Sequence, residues 1–244
     1  MIKNPNPLVS VIMPFYNCPY VNQAIESVLR QTYPHVELII VNDGSTMYVN
    51  LIKPYLDLPT IKYIEKENGG TASALNEGIQ HATGEFFVWL SSDDLFESRK
   101  VEEQLSFMNQ NNASISYTNY HLINEYNHMI YENAGVYFKN ESDFLTNLTN
   151  GCHINGCTVM MKLRIFKEIG FFDESLRYAQ DYDMWARIAQ HYIFHYLDKS
   201  LVKYRYHPSM NSVRHHSEQM LETEFVKNKY HQLLIQAIGH NRKN

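Results

Sequence analysis

The sequence predicts an α/β fold whose mostly parallel central sheet is flanked by helices and followed by a smaller, less regular second half. Short apolar runs alternate with helical patterns over residues 1–120, and strand–helix–strand units of this kind build parallel sheets. The apolar run 86–90 is too short for a helix and rich in strand formers. Ser91, Ser92, Asp93 and Asp94 follow it directly. Ligands bind beyond the carboxyl ends of strands in such sheets, so these side chains predict a functional site.

Three further strands precede this one, each separated from the next by a helical segment. Strands are expected at 8–13, 36–41 and 61–64, and helices at 21–31, 46–56 and 72–82. The helix over 46–56 is poorly patterned. Thr71 is the expected N-cap of the helix over 72–82, because its hydroxyl can accept a backbone N–H. Another helix is expected near Glu97, and Asp94 is expected to reach its N-terminus, where a carboxylate is favourable.

The second half has weaker periodicity and ends in a long polar-faced helix. Its expected strands are 114–120, 158–161, 192–197 and 201–206, with a hairpin tip at 124–133. Its expected helices are 164–169, one that opens at Gln180, and 218–238. We divide the chain by expected role into residues 1–120, 121–215 and 216–244.

Composition excludes several functional classes. The 244 residues carry a net charge of −5, so the chain lacks the excess of positive charge that is typical of nucleic-acid-binding proteins. No apolar run approaches the ~20 residues of a membrane span, and the polar first residues do not resemble a signal peptide. The three cysteines form no disulfide framework or metal-ligand spacing, which favours a reducing cytoplasm.

Four pairs of polar residues follow the four predicted strands of the first half. They are Tyr16-Asn17, Asn42-Asp43, Asn68-Gly69 and Ser92-Asp93. In a parallel sheet these pairs meet at one edge, where they offer an aromatic ring, amides and carboxylates. Such a set suits a nucleoside diphosphate held with Mg²⁺ or Mn²⁺. The glycine-rich fingerprint of dinucleotide-binding proteins and the lysine loop of P-loop enzymes are both absent.

Five sequence motifs follow one another along the chain: VSVIMPFYN at 9–17, VNDGST at 41–46, NGG at 68–70, ALNEGI at 74–79 and SDD at 92–94. In this order they resemble the motifs of the inverting family 2 glycosyltransferases, which have the GT-A fold with a Rossmann-like sheet. The resemblance extends from about residue 9 to residue 207. Each motif alone is modest evidence, whereas five in this order predict the family.

The resemblance implies a site for the nucleotide sugar and a metal ion. The implied nucleotide-binding residues are Pro14, Tyr16, Asn17, Asn42, Asp43, Asn68, Gly69, Asn76, Ser92 and Asp93. Tyr16 would stack on the base and Asn42 would bind its edge. Asp93 would hold Mn²⁺ or Mg²⁺ together with His207, unless His207 is an ordinary surface histidine. Ser91 replaces the first acid of the family's metal motif, which leaves one carboxylate fewer for the metal.

The resemblance also implies an acceptor side with its own catalytic base. Asp181 would take the proton of the acceptor hydroxyl, and its place at a helix N-terminus predicts a low pKa. Gln180 stands where the family usually has a glutamate, and Asp183 is the substitute if the register is shifted. As an alternative, Asp181 is only a helix cap. Gly156, Asp173 and Trp185 would line the acceptor side, with Trp185 either a sugar platform or a core residue.

The implied function is transfer of a sugar, most simply from a uridine diphosphate sugar, to a glycan or lipid-linked acceptor at the cytoplasmic membrane face. Peripheral contact between the C-terminal helix and a membrane remains open, with a solvated helix face as the alternative. Because Ser91 and Gln180 depart from the family pattern, a catalytically silent nucleotide- or glycan-binding module is the second hypothesis.

Overall fold

Four parallel strands form the first half of the sheet. A computed structural model describes residues 6–240 and 242–244. The strands are β1 Val9–Phe15, β2 Val36–Asp43, β3 Ile61–Lys66 and β4 Phe86–Trp89. They lie side by side in the order β3-β2-β1-β4 and all point the same way. Their carboxyl ends therefore meet at one edge, as the sequence predicts.

The helices of the first half are α1 Val21–Leu29, α2 Thr71–Gln80 and α3 Lys100–Gln110. Strands β1 and β4 are buried at nearly every position, as expected of parallel strands covered on both faces, whereas the edge strand β3 is exposed at Lys62 and Glu65. Helix α2 packs closely on β1 at Gly78, where any added Cβ would collide with the side chain of Ile12. Only glycine permits this approach of helix to strand.

The second half extends the same sheet with antiparallel and parallel pairings. Its strands are β5 Leu95–Phe96, β6 Ile115–Asn124, β7 Met129–Tyr131, β8 Met160–Lys162 and β9 Phe194–Tyr206. Across the described residues the order is β3-β2-β1-β4-β8-β6-β9-β5, with β7 beside β6. The hairpin of β6 and β7 lies where the sequence predicts one. The predicted α/β class with its central sheet is confirmed.

One hydrophobic core runs through both halves. Phe172 of the second half lies edge-on to Trp89 of β4 and to Trp185, with ring centroids 6.3 and 6.2 Å apart.

The remaining α-helices are α4 Glu141–Leu148, α5 Ile165–Ile169, α6 Gln180–Ala189, α7 Asn211–Arg214 and α8 His216–Ala237. The division at residues 120 and 215 is by role, and it remains a prediction. Among the described residues no helix combines the length and the apolarity that crossing a bilayer requires.

Several predicted elements are wrong in detail, for local reasons. The helix over 46–56 is instead two 3₁₀ turns, Val49–Leu51 and Lys53–Tyr55, because this stretch has no apolar stripe and contains Pro54. Gly70, with φ of 88°, precedes the first turn of α2, so Thr71 is its first helical residue and not its cap. The two strands expected over 192–206 are one strand, β9, with irregular pairing to β6 near Asn119.

Candidate active site

A cavity of about 1060 Å³ opens at the carboxyl ends of the parallel strands and reaches α6 and the segment after β9. Most of the predicted site residues line it. They are Pro14, Tyr16, Asn17, Asp43, Asn68, Ser92, Asp93, Gly156, Asp181 and His207. The structure therefore brings strand ends, the predicted metal ligands and the predicted base to one space.

Five predicted site residues do not line this cavity. Asn42 is buried, and its amide donates to the Tyr63 hydroxyl (2.8 Å) while its Oδ1 accepts the N–H of Ser45 (2.8 Å). Asn76 is buried too, and it binds the backbone N–H and C=O of Phe172. Both amides therefore hold loops around the site in place. Their predicted contact with a nucleotide remains a prediction.

The other three predicted site residues, Gly69, Asp173 and Trp185, also make contacts within the protein and do not line the cavity. The Gly69 N–H donates to Asp43, and Asp173 accepts bonds from its neighbour Ser175. Trp185 is 0% exposed. The sugar-platform hypothesis for Trp185 is therefore wrong, and the core alternative holds, because Phe172 and Phe194 enclose its ring.

The wall formed by β1, β2 and the loop after β3 presents an open aromatic ring. Tyr16 is 56% exposed at the cavity. Next to it Asn17 adopts φ of 47°, and its Oδ1 accepts the N–H groups of Thr46 and Met47, which ties the two strand-end loops together. A ring held on a fixed loop with a free face is suited to stacking on a flat base.

Asp43 shapes this wall rather than presenting a free charge. Its carboxylate accepts the N–H groups of Gly69 (2.9 Å) and Gly70 (2.8 Å) and pairs with the Lys66 ammonium (2.9 Å). The side chain is almost fully buried. Asp43 therefore sets the turn that leads into α2, and Asn68 adds a bond from its amide to the Asp43 carbonyl (2.9 Å).

Asp93 and His207 face each other across the cavity floor. The His207 Nε2 lies 3.1 Å from the Asp93 Oδ2, although the two residues are 114 positions apart in the chain. His207 is mostly buried, so the surface-histidine alternative is wrong. The Tyr20 ring packs against the imidazole with centroids 5.3 Å apart.

A divalent cation fits this pair, with part of its coordination left to the substrate. A carboxylate oxygen and an imidazole nitrogen suit Mn²⁺, while the oxygen also suits Mg²⁺. Among the described residues no group of three or more His, Cys, Asp or Glu side chains could enclose a metal. Asp93 and His207 would thus supply two ligands, and diphosphate oxygens and water would supply the rest.

Asp94 does not reach a helix, so its expected role is wrong. The strand β5 follows it directly, and α3 begins only at Lys100. Instead its Oδ1 accepts the backbone N–H of Arg205 (2.8 Å) and its Oδ2 accepts the thiol of Cys157 (3.2 Å). Burial, with the negative charge of Asp93 as the second cause, raises the pKa of Asp94 well above its usual range.

Arg205 is a functional candidate that the sequence analysis missed. It is 0% exposed, and its guanidinium donates to the Asp93 carbonyl (2.7 Å), Asn127 Oδ1 (2.6 Å) and Gln23 Oε1 (3.0 Å). It also lies over the Tyr20 ring at 4.3 Å. No carboxylate of the described residues pairs with this guanidinium, so Arg205 fixes the backbone of Asp93 through neutral acceptors.

We expect Arg205→Lys to lower the free energy of unfolding by about 2–4 kcal/mol, since a single ammonium leaves several buried acceptors unpaired. Urea unfolding measures this change. The control is Lys199→Met, which removes an exposed ion pair to Glu103 and should cost at most about 1 kcal/mol. Equal costs for the two variants would show that the Arg205 network adds little.

Asp181 also lines the cavity, from the first turn of α6. Its Oδ1 accepts the N–H of Tyr182 (2.8 Å), and no ion pair compensates it among the described residues. Burial raises the pKa of Asp181 to about 6. The predicted low pKa is therefore wrong, because desolvation outweighs the helix N-terminus.

Asp183 is unsuited to the role of substitute base. It is buried and pairs with Arg187 (2.7 Å) and Lys229 (3.0 Å), and it accepts the Tyr230 hydroxyl (2.8 Å). It also does not line the cavity. Gln180 does line it and is 6% exposed, yet its Oε1 is buried without a hydrogen-bond partner in the described part of the chain.

Gly156 allows the acceptor-side wall to approach β4. A Cβ at this position would collide with the Trp89 ring. The loop can pass this close to the indole only because residue 156 is glycine. The following Cys157 donates its thiol to Asp94, as described above. Burial raises the pKa of all three cysteines, which are free and line this cavity, so their thiols stay protonated.

Comparison with known proteins identifies the family. The model for "Glycosyl transferase family 2" matches residues 10–170. The chain is 40% identical over 213 residues to an uncharacterized glycosyltransferase of Rickettsia typhi, covering 85% of this chain and 66% of that one. It covers only 37% of the Rickettsia felis relative, to which it is 38% identical. It therefore spans less than two thirds of these relatives' length.

A relative with a specific activity in its name is also similar. The Escherichia coli UDP-Glc:alpha-D-GlcNAc-diphosphoundecaprenol beta-1,3-glucosyltransferase WfgD is 32% identical over 183 residues, which are 74% of this chain and 69% of that one.

Solved structures share the fold at low sequence identity. Staphylococcus aureus TarS 1–349 in complex with UDP has a TM-score of 0.67 at 21% identity, covering 95% of this chain and 70% of that one. The Pyrobaculum calidifontis mannosyltransferase PcManGT in complex with GDP-Man and Mn²⁺ has a TM-score of 0.66 at 17% identity, covering 98% and 66%. These likenesses confirm the GT-A fold. On the family match and the similar relatives, this chain belongs to glycosyl transferase family 2.

Proposed function

We propose that this chain transfers a sugar from a uridine diphosphate sugar to a glycan or lipid-linked acceptor, with inversion at the anomeric carbon and with Mn²⁺ or Mg²⁺. One observation carries the proposal. A single cavity is lined by Tyr16 and Asp93 at the strand ends and by Asp181 of α6. A nucleotide site and a base that face the same space are what a displacement at a sugar carbon requires.

The comparisons support this choice of donor and metal without fixing it. TarS was crystallised with UDP and with UDP-GlcNAc, and PcManGT with GDP-Man and Mn²⁺. The name of WfgD states a UDP-glucose donor and a diphosphoundecaprenol-linked acceptor. An acceptor of that kind would place the reaction at the cytoplasmic face of a membrane.

The donor would bind along the strand ends. Tyr16 would stack on the base, and the diphosphate would lie toward Asp93 and His207. A divalent cation held there supplies positive charge that stabilises the leaving diphosphate. Arg205 would keep the Asp93 backbone in place through the bond to its carbonyl (2.7 Å). A fixed carboxylate needs no reorganisation when charge develops.

Asp181 would act on the acceptor. Its carboxylate takes the proton of one acceptor hydroxyl, and the hydroxyl oxygen forms a bond to the anomeric carbon from the face opposite the diphosphate. The bond from that carbon to the diphosphate oxygen breaks, and the electron pair leaves with the diphosphate. One displacement of this kind inverts the configuration. A pKa of about 6 makes Asp181 a stronger base than an ordinary aspartate while it remains ionised at pH 7.

The test is UDP release from a panel of UDP sugars between pH 4.5 and 8, with and without glycan and lipid-linked acceptors. We expect the rate to be nearly constant above pH 7 and to fall about tenfold per pH unit well below 6, because the protonated carboxyl is no base. Folding checked by circular dichroism at each pH separates this loss from unfolding.

Two outcomes would contradict the proposal. An acid limb centred near pH 4 would mean that Asp181 does not control the rate. No UDP release from any donor, with or without acceptor, would favour the silent binding module that the departures at Ser91 and Gln180 suggest.

A further inference from the structure

A carboxylate on α8 holds the backbone that leads into α6. The Glu222 Oε1 accepts the N–H of Arg177 (3.0 Å), and its Oε2 accepts the N–H groups of Tyr178 (2.7 Å) and Ala179 (2.9 Å). Ala179 is the N-cap residue of α6, and its side chain cannot cap the helix. Bonds from backbone N–H groups to a carboxylate are stronger than bonds between neutral groups. Glu222 therefore supplies three strong acceptors where the chain enters α6.

Two further contacts attach the same segment to α8 and to the residue before it. Gln219, one turn before Glu222 on α8, donates its amide to the Tyr178 carbonyl (3.4 Å). The ring of Tyr178 stacks on that of His215, with centroids 4.9 Å apart at 22°. The segment before α6 is thus held through its backbone and through a side chain.

This attachment lies next to Asp181 in the chain. Asp181 is the second residue of α6 and follows Ala179 by two positions. Two positions beyond Asp181, the carboxylate of Asp183 pairs with Lys229 (3.0 Å) and accepts the hydroxyl of Tyr230 (2.8 Å), and both partners belong to α8. The helix α8 therefore fixes the backbone before and after Asp181.

The surroundings of the Asp181 carboxylate depend on where this turn is held. Burial raises the pKa of Asp181 to about 6. Burial, and after it the charge of Asp181, raises the pKa of the Cys152 thiol, so this thiol lies near the carboxylate. If the first turn of α6 were released from α8, water would reach the carboxylate, and the pKa of Asp181 would fall toward that of an ordinary aspartate.

We propose that Glu222 is a positioning residue for sugar transfer, because the bonds that it accepts keep the Asp181 carboxylate where it meets the acceptor hydroxyl. This inference rests on the proposed function, in which Asp181 is the base. Glu222 does not line the cavity, so it acts through Asp181. A shift of about 1 Å at a catalytic group can lower a rate on the order of 10²-fold.

The test compares variants of α8 in the full chain. Glu222→Ala removes all three acceptors. Glu222→Gln keeps one carbonyl oxygen, which can still accept the two N–H groups that share the Oε2 in the wild type. Glu224→Ala is the matched control, because it removes a carboxylate of the same helix that pairs with Lys227 (2.9 Å) and does not contact α6. Circular dichroism checks the folding of each variant.

The first measurement is steady-state transfer with the UDP sugar and acceptor that give the highest wild-type rate. We expect Glu222→Ala to lower kcat roughly 10- to 100-fold, with the KM for the donor within about threefold of the wild type. Glu222→Gln should lose less than about fivefold, because two of the three bonds remain. Glu224→Ala should keep the wild-type kcat.

The second measurement is the pKa of Asp181, followed by carboxyl ¹³C NMR without any substrate, with the signal assigned by its absence in Asp181→Asn. From about 6 in the wild type, we expect Glu222→Ala to lower this pKa by about one unit or more, and Glu222→Gln to change it by less than about half a unit. A loss of overall stability would not move this value in a folded protein.

Four outcomes would overturn the inference. They are a wild-type kcat in Glu222→Ala, an equal loss in Glu224→Ala, an unchanged Asp181 pKa in Glu222→Ala, and equal losses in Glu222→Ala and Glu222→Gln, which would mean that the charge matters and not the bonds. If Glu222→Ala does not fold, Glu222→Asp takes its place with the same expected results, since its side chain is one methylene too short to accept all three N–H groups. The titration needs no substrate, so a wild type that transfers no sugar would count against the proposed function alone.

Discussion

Replacing Asp181 by asparagine is expected to lower sugar transfer roughly 10²–10⁴-fold while leaving UDP affinity nearly unchanged. Asparagine has the same shape but cannot take a proton from the acceptor. Asp181 belongs to α6, whereas Tyr16 and Asp93 follow β1 and β4, so we expect the donor to sense little of the change. Transfer is measured with saturating donor and acceptor, and UDP affinity by calorimetry.

The same variant is expected to be at least as stable as the wild type. Burial raises the pKa of Asp181 from 3.8 to about 6, so the folded state disfavours the charged form. This cost is absent below pH 3.8, where the carboxyl is protonated in both states. It is complete above pH 6, where it is on the order of 3 kcal/mol. Asparagine removes the charge and should recover part of that stability at pH 7.

The matched control is Asp173→Asn, which changes a carboxylate of the same half that does not line the cavity. It should retain transfer within a few-fold. If Asp181→Asn transfers sugar at nearly the wild-type rate, then Asp181 is not the base, and the acceptor must lose its proton to another group. If Asp181→Asn fails to fold, the premise that this charge is unfavourable in the folded state is wrong.

Replacing Asp93 by asparagine is expected to abolish most of the metal-dependent part of UDP binding. Among the described residues Asp93 and His207 are the pair placed to hold the cation, so removing the carboxylate leaves one imidazole ligand. The difference in UDP affinity between Mn²⁺ and EDTA solutions, measured by calorimetry, should fall at least tenfold, in line with the loss of a charge-assisted contact.

Asp94→Asn is the control for this change. Its Oδ1 can still accept the Arg205 N–H (2.8 Å in the wild type), and a buried carboxyl with a raised pKa loses little when its charge is removed. We therefore expect a milder effect on metal-dependent binding. A larger loss of metal-dependent binding from Asp94→Asn than from Asp93→Asn would mean that Asp94, and not Asp93, holds the metal. Identical UDP affinities of the wild type in Mn²⁺ and EDTA would remove the metal from the account.

The sequence predicts the donor side of the site well because the cause is local. Mostly apolar segments form β1, β2 and β4, the more polar β3 is the outermost strand, and parallel strands bring their carboxyl ends to one edge. Polar residues placed just after a strand, such as Tyr16 and Asp93, must then lie at that edge. The order of the motifs also predicts the family, and the comparisons with known proteins confirm it.

What the sequence does not predict depends on contacts between distant segments. Arg205 binds the carbonyl of Asp93, 112 positions away, and no local pattern marks a buried arginine. The pKa of Asp181 depends on how deeply α6 packs, whereas its helix position alone suggests the opposite shift. Asn76 lies in one of the family motifs, yet its side chain bonds to the backbone of Phe172, 96 positions further along. Each outcome is set by tertiary packing rather than by spacing.

The most direct test of the central claim is a crystal structure with UDP and Mn²⁺, with the manganese located by its anomalous scattering. The account predicts one manganese peak bridging the diphosphate to Asp93 and His207, the uracil ring stacked on Tyr16, and open space between the terminal phosphate and Asp181. Uracil bound away from Tyr16, or a manganese peak remote from Asp93, would contradict it.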